Sequence, residues 1–327
     1  MRSGRKVMDQ QSGQDVQAGT VTGAKGRFWR SRRFWLRFGL SLLGLLVIAW
    51  ALLPAVRVYS LIGNNNRNHA APPAPRDLPV QEVHFQATDG VQLAGWLVVA
   101  SPDAPTIILV HGYKGSRADM LPWARFLYAA GYNVLLYDSR GCGESAGWNI
   151  TLGTREPDDV VGAVHFLQRR ADIHTKRFGA LGISLGAGVV LLAAAHEPML
   201  LATVADSAWA DTSEQVAWMQ AISRPPFTLP LLPYGPALAN ALTGGNVTAT
   251  SPASVIGQIA PRAVLLIHAT DDRNATTPLS GEQRLYAAAG QPKEEWIVPS
   301  GGHVGAIKVY TQVYEQHVLT FFAHYLS

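Results

Sequence analysis

The sequence predicts an α/β protein: a mostly parallel central sheet with helices on both faces and an inserted cap, preceded by one transmembrane helix. Three observations carry this prediction. From about residue 82 to the end, short apolar runs alternate with helical patterns, the signature of a parallel sheet assembled from crossover units. From about Trp209 to Gln258 that alternation breaks in a proline-rich stretch. Upstream, residues 38–56 contain no charged side chain and follow a basic block. With 327 residues, 48% of them hydrophobic, the chain can bury a substantial core. Its one cysteine, Cys142, excludes an intramolecular disulfide framework and a cysteine-rich metal cluster.

Charge is distributed unevenly. Residues 1–37 hold nine Lys/Arg against Asp9 and Asp15, while the rest of the chain holds 18 basic and 21 acidic groups. The bulk of the protein is therefore no polyanion binder, and nucleic acid is not an expected partner. The basic segment reads as a cytoplasmic tail. The run from Phe38 to Val56 is long enough to cross a bilayer as a helix, with Trp35, Trp50 and Tyr59 at belt positions. Pro54 would at most kink it. The positive-inside rule then places the chain after Arg57 outside the cytoplasm, in a periplasmic or extracellular space if the source is bacterial. An alternative is export: Ser31-Arg32-Arg33-Phe34-Trp35-Leu36-Arg37 resembles a twin-arginine signal, with Ala49-Trp50-Ala51 as a small-residue cleavage site. A retained signal anchor is the favoured reading, because that site lies inside the apolar run. Residues 57–81, with Asn64-Asn65-Asn66 and Pro72, Pro73, Pro75 and Pro79, are expected to be an extended linker.

The elements that follow can be assigned in order. Glu82–Thr88 and Val91–Ala100 flank Asp89-Gly90, a hairpin turn signal. Thr106–Val110 and Asn133–Tyr137 are continuous apolar runs, as expected of strands buried on both faces. Asp119–Ala130 has helical spacing and stops at Gly131. Pro157–Arg170 carries Val160, Val161, Val164 and Leu167 along one stripe. Arg177–Gly182 reads as a strand and Leu185–His196 as a helix. Leu201–Ala205, Ala263–His268 and Glu295–Val298 are further strands; Pro278–Ala289 and Ile307–Tyr325 are helices. Residues 209–258 are the expected cap within a domain spanning 82–327.

Chemistry concentrates in loops at strand ends, where parallel sheets place active residues. Gly182-Ile183-Ser184-Leu185-Gly186 fits G-x-S-x-G between a strand and a helix. A tight turn there lifts the serine hydroxyl off the strand end, and the helix N-terminus beneath favours developing negative charge. A serine needs an adjacent base. His303, in Pro299-Ser300-Gly301-Gly302-His303, follows the last strand on a glycine turn and is the candidate. His165, His196, His317 and His324 sit on helices, and His268 belongs to a structural turn.

Taken together, His111-Gly112 after a buried strand, Asp138-Ser139-Arg140-Gly141-Cys142-Gly143-Glu144-Ser145 after the next, the G-x-S-x-G turn, an Asp loop and the late Gly-His resemble an α/β-hydrolase. The resemblance covers residues 82–327 and is nearest to the membrane-anchored serine aminopeptidase-like and BEM46-like branches, which hold esterases, lipases, acyl-thioesterases and peptidases. It implies the order Ser, Asp, His. The loop His268-Ala269-Thr270-Asp271-Asp272 aligns with the family's H-G-x-x-D and selects Asp272 as the acid, with Asp271 as fallback and Asp206 as a third candidate. It implies an oxyanion hole from the backbone N–H groups of Leu185 and Tyr113, with His111 holding the turn. Relatives usually place V-P soon after the acid; here Pro278 arrives six residues later, so this loop is longer than the family pattern.

Gly141-Cys142-Gly143-Glu144-Ser145-Ala146 matches G-x-G-x-x-G/A, but no helix is expected directly after it, so dinucleotide binding is not expected. The absence of H-E-x-x-H, a cysteine pair or an acidic metal loop argues against a metal, and no cofactor is expected. The expected activity is serine hydrolysis of a carboxylic ester or thioester through an acyl-enzyme. A peptidase or acyltransferase with the same triad is the alternative, Glu144 and Asp206 being candidates for an acidic amine pocket. A non-catalytic binding protein on the same fold is the alternative of another class. Trp209, Trp218 and Met219 in the cap suggest an apolar, lipid-derived acyl substrate.

Overall fold

The computed structural model describes residues 23–63, 73–212, 221–224, 227–230 and 234–327. The chain divides into two compact units, one ending at Ala51 and the other running from Leu52 to Ser327. In the first unit the described residues are all helical, being the start of α1 (Gly23–Ile62). Its apolar side chains from Phe34 to Trp50 are exposed. The stretch Ser31–Ile62 is long and apolar enough to cross a membrane.

The second unit is built on an eight-stranded sheet. Its strands are β1 (Val80–Gln86), β2 (Gln92–Val98), β3 (Thr106–Val110), β4 (Asn133–Tyr137), β5 (Phe178–Ile183), β6 (Leu200–Asp206), β9 (Ala263–Ala269) and β10 (Lys293–Val298). The spatial order is β1-β2-β4-β3-β5-β6-β9-β10. β1 pairs antiparallel with β2 and β2 with β4, while the six strands from β4 to β10 run parallel. β3, β4 and β5 are buried at every position, which is why their sequences are continuous apolar runs rather than alternating ones. Two cores lie on the two faces. One gathers Ile108, Val110, Leu135 and Tyr137 with Val160 and Val164 of α3 (Glu156–Gln168) and with α4 (Leu185–His196); the other gathers Ile107, Leu109, Leu136 and Trp96 with Trp123 of α2 (Leu121–Ala129), Tyr314 and Phe322. Alternate residues of one strand thus face opposite cores, and each large apolar side chain so buried is worth roughly 1.5–3 kcal/mol.

α4 is buried at ten of its twelve positions, so it has no polar stripe to mark it from sequence. Two smaller strands, β7 (Ala221–Arg224) and β8 (Phe227–Pro230), pair antiparallel outside the main sheet. A helix at Tyr234–Thr243, within the stretch expected to form a cap, follows them. Trp218 and Met219, expected in the cap, lie outside the described residues.

Two expectations need correction. Residues 57–62 do not belong to an extended linker: α1 runs on to Ile62, and Val58, Leu61 and Ile62 are buried in the second unit. Their i, i+3, i+4 spacing is a helical stripe that packs against the domain. The C-terminal helix is also not continuous. A short helix at Ala306–Val309 and a long one at Thr311–Tyr325 meet at Tyr310, whose backbone leaves helical geometry at φ −120°, ψ 39° while its hydroxyl bonds Ser300 Oγ at 2.8 Å.

Candidate active site

The glycines of the 182–186 turn are required sterically. A Cβ on Gly182 would stand 2.2 Å from Gly186 O, and one on Gly186 would stand 2.4 Å from Val110 O and 2.5 Å from His111 O. Between them Ser184 takes φ 54°, ψ −118°, a strained conformation for a residue with a side chain. The turn ends β5 and Leu185 opens α4 directly. The end of β3 comes in alongside, so that even Gly112 would carry a Cβ only 3.3 Å from Ser184 Cβ.

Three side chains from separate loops form one hydrogen-bonded chain. Ser184 Oγ lies 2.7 Å from His303 Nε2, and His303 Nδ1 lies 2.8 Å from Asp272 Oδ2. The carboxylate can only accept, so Nδ1 carries the proton and Nε2 is left to accept from the serine hydroxyl. Asp272 is fully buried and also accepts from the N–H of Asn274 at 2.8 Å. Burial alone would raise its pKa; the bond from His303, the Asn274 N–H and the positive potential of His303 and His268 outweigh that and lower it below the usual carboxylate range.

Asp271 has a different partner. Its Oδ1 accepts from the N–H of Gly302 at 2.8 Å, so it braces the turn that carries His303. Asp206, the third candidate, makes no bond to His303. It is buried, taking hydrogen bonds from Tyr314 Oη and Ser207 Oγ, each at 2.9 Å. Burial, with the Asp272 charge added, outweighs these two donors and pushes Asp206 up to about 6. The network extends outward: Trp123 Nε1 donates to Tyr314 Oη at 2.9 Å, and the N–H of Val304 donates to Ser207 Oγ at 3.1 Å. Asp206 thereby holds the loop on the far side of His303.

His268 is buried behind Asp272, its Nε2 3.8 Å from Asp272 Oδ2 and its Nδ1 4.0 Å from Glu282 Oε2. Burial lowers the His268 pKa and raises that of Glu282 well above the usual range, so in both it favours the uncharged form. His111 sits in the turn after β3. Its Nδ1 lies 2.8 Å from Gly112 O and its Nε2 accepts from the N–H of Ser139 at 3.0 Å. That fixes the loop carrying Tyr113.

The G-x-G-x-x-A stretch opens no helix. It wraps the Asp138 carboxylate, which takes the Glu144 N–H at 3.0 Å and the Arg117 guanidinium at 3.1 Å. A Cβ on Gly143 would lie 2.1 Å from Asp138 Oδ2. Glu144 is paired with Arg117, and Asp206 accepts from Ser207 and Tyr314, so each carboxylate already has protein partners. Burial pushes the Cys142 thiol well above its usual range, which keeps it protonated and unreactive. Among the described residues no group of three His, Cys, Asp or Glu side chains is placed to hold a metal ion.

A cavity of about 310 Å³ opens over Ser184. Tyr113, Leu152, Leu185 and Trp209 line it, together with Asn274–Thr277 and with Leu61 from the end of α1. Trp209 is fixed by its Nε1, which donates to Leu185 O at 3.2 Å. The sequence reading overlooked Thr277, whose Oγ1 lies 3.3 Å from Asp272 Oδ2 and 3.2 Å from His303 Nδ1. The one available signal was the unusual length of the loop after Asp272, which here carries cavity residues. Leu61 was hidden by its assignment to the linker.

Comparisons with known proteins agree with this architecture. Residues 87–245 match the family model of the X-Pro dipeptidyl-peptidases (S15 family). The uncharacterized protein YqkD of Bacillus subtilis is 32% identical over 235 residues, covering 71% of this chain and 75% of that one. The uncharacterized protein YfhR of Salmonella typhimurium is 28% identical over 297 residues, 88% of this chain and 95% of that one. Among solved structures, the esterase Pf2001 of Pyrococcus furiosus superposes with a TM-score of 0.66 at 24% identity, over 82% of this chain and 99% of that one. The sheet order, the strained serine turn and these relatives lead to one assignment: the chain belongs to the α/β-hydrolase superfamily.

Proposed function

We propose that this protein is a membrane-anchored serine hydrolase that cleaves carboxylic esters or thioesters through an acyl-enzyme intermediate. Ser184 is the nucleophile, His303 the general base and then acid, and Asp272 the residue that holds the imidazole tautomer and stabilises its charged form. The observation that carries this is the unbroken chain of short contacts, Ser184 Oγ to His303 Nε2 at 2.7 Å and His303 Nδ1 to Asp272 Oδ2 at 2.8 Å. As Ser184 Oγ bonds to the acyl carbon, its proton moves to His303 Nε2. The carbonyl oxygen takes up negative charge, and the backbone N–H groups of Leu185 and Tyr113 receive it. His303 returns the proton to the leaving alcohol or thiol. Water then gives a proton to His303 and attacks the acyl carbon, releasing the acid and restoring the Ser184 hydroxyl.

The uncharged run 38–56, within the helical stretch Ser31–Ile62 that is long and apolar enough to cross a membrane, serves as a single-pass anchor. The basic tail is cytoplasmic and the domain extracytoplasmic by the positive-inside rule; cleavage of this segment as an export signal would leave the domain on the same side. The S15 match keeps amide cleavage as a second reading. Against it, the described residues lining the cavity include no carboxylate to receive a substrate amine. Turnover of p-nitrophenyl esters set beside aminoacyl and X-Pro amides tests the choice. Ester turnover abolished by Ser184→Ala supports the proposal; amide turnover without ester turnover refutes it.

A further inference from the structure

α1 ends inside the active-site wall. A helix leaves its last four carbonyls without intrahelical partners, and here each one finds a donor. Tyr59 O takes the N–H of Gly63 at 2.7 Å and Ile62 O the N–H of Ile150 at 2.7 Å. Ser60 O takes Lys114 Nζ at 2.9 Å, and Leu61 O takes the Tyr113 hydroxyl at 2.6 Å. Three of the four donors come from the hydrolase domain, and two of those three belong to consecutive residues of the loop after β3, beside Ser184. Burial pushes the Tyr113 phenol up to about 12, so it stays a donor. Gly63 also bridges to Asn149. Leu61, 6% exposed, meanwhile lines the cavity over Ser184 together with Leu152 and Trp209.

We infer that the C-terminal turn of the membrane helix, through Leu61, is the specificity wall of the acyl pocket, and that the enzyme selects esters of an apolar acyl chain. This rests on the serine-hydrolase reading above. The lining includes the apolar Leu61, Leu152, Leu185 and Trp209, and the size, about 310 Å³, is at the lower end for a ligand site. It suits a single unbranched chain rather than a bulky or charged acid. The same turn pins Tyr113, so the anchor also positions the loop that supplies an oxyanion donor.

The test uses the full-length protein in detergent. Fluorophosphonates bearing a methyl or an octyl chain are attacked by Ser184 Oγ at phosphorus with loss of fluoride, and mass spectrometry reads the labelling rate of each. Leu61→Trp, which fills the pocket, is expected to lower the octyl-to-methyl rate ratio by at least about tenfold. Leu46→Trp, on the exposed part of the same helix, leaves the ratio within about twofold. Leu61→Ala, which enlarges the pocket and deletes no hydrogen bond, raises the relative rate of a branched-chain probe. A ratio that ignores Leu61 in both variants overturns the inference. Failure of both probes to label Ser184 in the wild type overturns the hydrolase reading instead.

Discussion

Gly186→Ala tests the site's construction most sharply. The added Cβ would lie 2.4 Å from Val110 O and 2.5 Å from His111 O, whereas carbon–oxygen contacts settle at about 3.3–3.6 Å. Both oxygens are backbone, so no side chain can swing away. Relief requires the start of α4 to move off the end of β3 by about 1 Å, the shortfall from that contact distance. That movement separates the Leu185 N–H, on α4, from the Tyr113 N–H, on the loop after β3. Oxyanion donors work at about 2.7–3.1 Å, so a displacement of this size takes one of them out of range. Losing one donor costs about 10²–10³ in kcat, or roughly 3–4 kcal/mol of transition-state stabilisation. The expected result is a fall of that size in kcat for a p-nitrophenyl ester, with KM little changed. Stability falls less, by about 1–3 kcal/mol, because alanine is the better helix former. Gly235→Ala is the control: its Cβ meets only Pro54 Cβ at 3.9 Å and should leave both quantities near wild type. A Gly186→Ala enzyme with wild-type kcat would refute the argument that these two backbone segments jointly set the oxyanion site.

Three further outcomes follow from the same geometry. Asp272→Asn removes the acceptor that fixes the His303 tautomer and should cost about 10⁴ in kcat, whereas Asp271→Ala deletes only a brace on Gly302 and should cost less than about tenfold, near the 1 kcal/mol of one hydrogen bond; steady-state ester kinetics separate them. Asp206, raised to about 6 from 3.8, binds its proton more tightly folded than unfolded, so its effect on stability is absent below the unfolded value and becomes a penalty as pH rises through about 6. Asp206→Asn lacks that term, and thermal melts from pH 4 to 7 should show the variant gaining on wild type by about 3 kcal/mol with rising pH; a constant difference would contradict the assigned shift. Glu282 is raised for the same reason, burial, with Glu295 and Asp206 adding to it, so Glu282→Gln should stabilise the protein more at pH 8 than at pH 5 in the same melts.

Much of this architecture was legible because burial on both faces writes itself directly into sequence. Asn133–Tyr137 and Thr106–Val110 are strands over those same limits, since a strand covered on both sides has no polar phase to blur its ends. The turn around Ser184 was legible because two backbone contacts admit only glycine at 182 and 186. What stayed hidden depends on partners far away in the chain. The local stripe of Val58, Leu61 and Ile62 is too short to show that residues 57–62 remain helical; the carbonyls of Ser60, Leu61 and Ile62 are satisfied by Lys114, Tyr113 and Ile150, which lie far away in the sequence. The break at Tyr310 is likewise tertiary, its hydroxyl being held by Ser300. The division of labour between Asp271 and Asp272 turns on which carboxylate faces the imidazole and which the Gly302 N–H, a matter of loop geometry that adjacent identical residues do not disclose.

The most direct measurement is the site and dependence of covalent capture. Full-length protein treated with a fluorophosphonate and digested should carry one adduct, on Ser184, formed at a rate that falls by orders of magnitude in His303→Ala and vanishes in Ser184→Ala. An adduct on another residue, or capture at Ser184 that proceeds unchanged without the His303 imidazole, would contradict the account.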